Sequence, residues 1–99
     1  MSISAPTNLS EVTGLVDIIG SVQDDNLAEV VLTYRKPGDL YGTELYRGAS
    51  LFNNELIASF DPSLLRNGQY QLALEATDIN NQTAFDVITV LVDSDLKIG

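Results

Sequence analysis

The chain has 99 residues, with 14 acidic against 5 basic side chains and a formal net charge of −9 at pH 7. That length suits one domain around one core, and the acidic field makes nucleic acid and anionic membrane unfavourable partners. Cysteine and histidine are absent, which removes disulfides, thiolate metal sites, the usual zinc chemistry and the commonest general base.

No run of about 18 apolar residues is present to span a membrane as a helix. No basic segment followed by an apolar run opens the chain, so it reads without a signal peptide. If the chain is secreted, its export signal lies elsewhere in a longer polypeptide. No internal repeat or low-complexity segment interrupts the reading.

Taken in order, Met1 to Asn8 is small and polar with Pro6, suited to a leader or an edge strand. Leu15–Val22 (LVDIIGSV) is the first firm strand, with Val16, Ile18, Gly20 and Val22 on one face. Gln23–Asn26 reads as a turn, because Asp and Asn side chains bond their own backbone there. Leu27–Arg35 follows with period-two alternation, Ala28, Val30, Leu32 and Tyr34 against Glu29, Val31, Thr33 and Arg35. Lys36–Asp39 (KPGD) is a turn, and Leu40–Arg47 a weaker strand in which Gly42 marks a bend.

Asn53-Asn54 predicts a further turn before a short strand, Glu55–Phe60. Asp61–Arg66 predicts one helical turn, with Asp61 as N-cap and Pro62 at the first helical position. A turn at Asn67-Gly68 opens the strand around which the rest is arranged: Tyr70, Leu72, Leu74 and Ala76 alternate with Gln71, Ala73, Glu75 and Thr77. After a polar turn at Asp78–Gln82, Ala84–Val92 is the last strand. Its long apolar run predicts a bulge or burial on both faces. Asp93–Gly99 reads as a linker or as the start of a strand belonging to a neighbouring domain, with an ordered core of about residues 7–93 in a single domain. About seven short strands with frequent turn signals predict an all-β antiparallel sandwich.

The run L-R-N-G-Q-Y-Q-L-A-L-E-A-T (Leu65–Thr77) resembles the F strand of an immunoglobulin-like sandwich. Tyr70 stands where that fold places a corner tyrosine. Leu72 takes the place of the second cysteine, with Ile18 as its counterpart. The core tryptophan of antibody domains is missing, which argues against an antibody-type domain. Thr13–Tyr34 and Asn67–Thr83 together resemble bacterial Ig-like domains strung in large secreted or surface proteins. The exit V-L-V-D-S-D-L-K-I-G (Val90–Gly99) resembles the junction preceding YD-repeat (Rhs-type) regions. The resemblance implies a non-enzymatic spacer or interaction module, secreted or on the cell surface, whose partners are neighbouring domains or another protein.

The residues offer three kinds of candidate site. In such a sandwich the loops carrying Asp24, Asp25, Asn26 and Asp78, Asn80, Asn81 share one pole, and their oxygens suit calcium; turn-shaping Asx residues explain the same composition. Tyr41 and Tyr46, with Phe52, are candidates for a glycan platform, against ordinary strand propensity; Tyr34, Tyr70 and Phe85 are assigned to the core by alternation. Asp86 and Glu29 are candidate edge guards. A paired-carboxylate hydrolase needs a cleft for which so small a sandwich has little room, and neither a Ser-His-Asp set nor a Gly-rich phosphate loop is available.

Overall fold

The computed structural model describes residues 2–24, 26–40, 42–62 and 65–93. Eight strands succeed one another: β1 (Ser2–Ala5), β2 (Ser10–Val12), β3 (Val16–Val22), β4 (Leu27–Arg35), β5 (Thr43–Gly48), β6 (Phe52–Phe60), β7 (Gly68–Asp78) and β8 (Thr83–Val92). They form a three-stranded sheet in the order β1-β3-β6 and a five-stranded sheet in the order β2-β8-β7-β4-β5. The molecule is an all-β sandwich.

Alternation on β7 drives the packing. Tyr70, Leu72, Leu74 and Ala76 are buried, and Leu72 and Leu74 are fully so. The same sheet adds Val30, Leu32, Ile88, Val90 and Val92, while β3 and β6 of the facing sheet supply Ile18, Val22, Ile57 and Phe60. Each such side chain removed from water contributes roughly 1.5–3 kcal/mol. At one end the rings close the core: Tyr34 lies 5.1 Å from Phe60 and 6.4 Å from Tyr70, both tilted toward edge-to-face contact. Gly20 faces inward where β1 crosses β3, and a Cβ there would stand 2.5 Å from the Ser2 carbonyl oxygen and 2.9 Å from Ile57 Cδ1. Only glycine lets the backbones approach so closely.

Several expectations are corrected. The eight strands among the described residues agree with the expected number of about seven; the N-terminal segment supplies two of them, leaving one sheet for the other at the cis Ala5–Pro6 bond. The sandwich is not wholly antiparallel, since β2 runs parallel to β8. Asn53-Asn54 does not form a turn between strands but lies inside β6. There Asn54 takes a left-handed φ of 52°, its N–H donates to Ser21 Oγ at 2.9 Å, and the β3–β6 register shifts between Gly20 and Val22. A bulge absorbs the residue that a loop was expected to hold. Ala28 is exposed, next to a register shift between Leu27 and Glu29.

The last strand neither bulges nor buries both faces. Its register with β7 runs unbroken from Gly68↔Val92 to Thr77↔Thr83, and Phe85, expected in the core, is 63% exposed. Nothing among the described residues covers the outer face of the five-stranded sheet. Of the expected helical turn at Asp61–Arg66, residues 63 and 64 lie outside the described residues; the Leu65 N–H donates to the Pro62 carbonyl at 2.9 Å, and Pro62 is buried.

Candidate functional site

The first candidate is the pole where β3 ends and β7 ends. The two loops meet directly: the Ile79 N–H donates to the Asn26 carbonyl at 2.8 Å. Asp24 and Asp78 line one cleft of about 280 Å³ with Gln23, Gln82 and Thr83. One oxygen of each carboxylate already serves the backbone. Asp24 Oδ1 accepts the Asn26 N–H at 2.9 Å, and Asp78 Oδ1 accepts the N–H groups of Asn80 and Gln82 at 2.8 and 2.9 Å. Asn81 adopts a left-handed φ of 63° and donates its N–H to the Asp78 carbonyl. These are Asx turns, which fix the loop without any ion. Among the described residues no three carboxylates converge, while calcium asks for six to eight oxygens. Asp25 lies outside the described residues.

The aromatic candidate divides in the same way. Tyr41 lies outside the described residues. Tyr46, on β5, is half-buried and meets Phe52 of β6 edge to face, with ring centroids 5.5 Å apart at 80°. That contact joins β5 at the edge of one sheet to β6 at the edge of the other.

At the opposite pole, Tyr70 is 2% exposed and its hydroxyl donates to the Arg66 carbonyl at 2.9 Å. Burial raises the phenol pKa, and the neighbouring Tyr34 raises it further. A cleft of about 320 Å³ opens here between Tyr34, Arg35, Lys36, Asp39, Arg66 and Tyr70. Lys36 Nζ stands 6.0 Å from the centre of the Tyr70 ring, at the outer limit of a cation–π contact. Arg35 is held by Gln71 Oε1 at 3.2 Å and the Asp39 carbonyl at 3.4 Å. Three of the chain's 5 basic residues thus meet in one place on a strongly acidic protein. The sequence hides this, because Arg35 and Lys36 leave β4 whereas Arg66 comes from the segment before β7.

Among the structural candidates, Ile18 and Leu72 are both fully buried in the common core. Gly68 opens β7 with a φ of 147°, which L side chains rarely adopt. Glu29 is not at an edge: β4 lies between β7 and β5, and Glu29 pairs with Arg47 at 2.7 Å on the outer face. Glu44 holds the same guanidinium, and both carboxylates raise the Arg47 pKa, Glu44 first. Asp86 lies on the half of β8 that β2, paired only with Val90–Val92, does not reach. Its Oδ2 accepts the Ile3 N–H at 2.7 Å and ties β1 to β8.

No protein-family model matches the chain, and no curated protein matches it. Solved structures share the fold, among them the following two. One is the endo-β-1,4-mannanase from Thermotoga petrophila, with a TM-score of 0.72 and 16% identity over 95% of this chain. The other is an engineered protein, with a TM-score of 0.60 and 16% identity over 92% of this chain. The chain spans 19% of the length of each. At such identity the likeness is one of fold.

Proposed function

We propose that this is a non-catalytic, immunoglobulin-like module that spaces or docks neighbouring parts of a larger secreted or surface-exposed protein. The observation that carries this reading is the placement of its outermost strands. β1 starts opposite Ser21, at the end of β3 beside the Asp78 pole, whereas β8 ends at Val92, opposite Gly68, at the Tyr70 pole. The chain therefore enters and leaves at opposite ends of a body measuring 46 × 27 × 19 Å. Beads of this kind hold the flanking parts of a polypeptide a fixed distance apart. The fold of the bead also occurs within a fifth of a much longer mannanase chain, which supports a place inside a larger protein.

Tension applied at the two ends loads the β2–β8 and β1–β3 ladders along their strands, so the hydrogen bonds of each ladder resist together. Pulling single molecules from residues 2 and 93 is expected to give one cooperative unfolding event at high force. Strand-by-strand peeling at low force would contradict the spacer reading. The second reading, an accessory module that binds glycan, draws on the mannanase likeness; the contact of Tyr46 with Phe52 weighs against it. A thermal melt with and without soluble mannan separates the two, the spacer reading requiring an unchanged midpoint.

A further inference from the structure

The two halves of the β8 edge are treated differently. At its C-terminal half the Thr89 N–H donates to Asn8 Oδ1 at 2.8 Å, its carbonyl accepts the Leu9 N–H at 2.6 Å, and the Asp93 N–H donates to the Val12 carbonyl at 3.1 Å. β2 pairs with Val90–Val92 between them. Alternate residues of a strand direct their backbone groups to the same side, and the unbroken β7–β8 register carries that alternation back to Val87 and Phe85. The N–H and carbonyl groups of these two residues therefore point out of the sheet edge, and no strand among the described residues pairs with them there: β2 stops at Val90, and β1, which Asp86 tethers, belongs to the facing sheet. Their side chains lie on the open outer face, 63% exposed for Phe85 and 48% for Val87. Asp86, between them, turns to the other face, where it holds the Ile3 N–H.

We infer that Thr83–Ile88 is a docking edge for an extended segment of a partner protein that reads apolar–basic–apolar. Such a segment continues the five-stranded sheet as a new edge strand. Its two apolar side chains pack beside Phe85 and Val87, and the lysine or arginine between them falls on the face of Asp86. Charge selects this occupant. The protein carries −9 overall, Glu75 stands opposite Phe85 across β7, and an acidic second copy meets repulsion that a cationic strand does not. The inference deepens the interaction side of the proposed function and leaves its spacer side untouched, since it does not depend on where the chain enters or leaves.

The test titrates the labelled protein with the blocked peptide Thr-Val-Lys-Val-Thr, and with the same peptide carrying Glu for Lys, while following backbone amide resonances. The lysine peptide is expected to shift the amides of residues 83–88 saturably and to bind roughly tenfold or more tightly than the glutamate peptide. Val87→Pro deletes an N–H that folding does not use; it is expected to retain a cooperative melt and lose the peptide. Asp86→Asn keeps an acceptor for Ile3 and is expected to reduce the preference for lysine, leaving the part that Glu75 and the overall charge supply. The inference is overturned if the shifts fall elsewhere or do not occur at millimolar peptide. Equal binding of both peptides, unaltered binding by folded Val87→Pro, or self-pairing of the protein through β8 overturns it as well. The pulling experiment on the Val87→Pro variant reads the spacer function separately.

Discussion

One strand, β8, contains both a fully buried part and a largely exposed part of the five-stranded sheet. Val90 is fully buried and lies opposite Tyr70, whereas Val87 is half-exposed and lies opposite Ala73. The backbone register is continuous between them, so local geometry does not distinguish the two valines. The covering differs. Val90 points into the gap between the sheets, and β2 pairs along its edge; Val87 points to the open face, and no strand among the described residues pairs with its outer edge. A residue's energetic weight here comes from what another part of the chain places over it.

The same substitution at the two sites sharpens the contrast. Val90→Ala is expected to cost about 2–3 kcal/mol in a denaturant melt, combining lost burial with the cavity left between the sheets. A cost similar to that of an exposed valine would mean that the core is not closed there. Tyr70→Phe, on the same buried row, removes the hydroxyl bond to Arg66 and is expected to cost about 1 kcal/mol.

Tyr70 also predicts a pH response. Burial raises its pKa in the folded protein, so the folded state holds the phenolic proton more tightly than the unfolded chain. Stability from this group is complete below the unfolded value of about 10 and is lost as pH rises through the higher folded value. Alkaline melts of Tyr70→Phe should show a shallower decline above that point; an identical decline would assign the loss to other groups. Val87→Ala is the smallest change, expected within about 0.5 kcal/mol of the parent. A large loss there would place an unrecognised cover on the outer face.

The same division governs how much was legible in the sequence. β3, β4 and β7 could be read from alternation, because one face of each is buried and the other is not. The turn character of Asp24, Asn26, Asp78 and Asn80 was equally readable, since those side chains act within their own loops. β2 was not, because its three residues are too short to show a period and it is held by pairing with distant β8. For Phe85, alternation separates two faces of a strand without saying which of them will be covered. The extension of β6 through Asn53 and Asn54 needed the Ser21 hydroxyl, supplied by another strand. The basic cleft beside Tyr70 likewise exists only after folding brings Arg66 next to Lys36.

Native-state hydrogen exchange along β8 is the most direct measurement of whether its edge is free. The amides of Phe85 and Val87 should exchange quickly while those of Asp86 and Ile88, directed into the β7 ladder, and of Thr89 and Leu91, covered by the N-terminal segment, exchange slowly. Protection of Phe85 and Val87 equal to that of Thr89 would show that this edge is already occupied, and the docking account would fail with it.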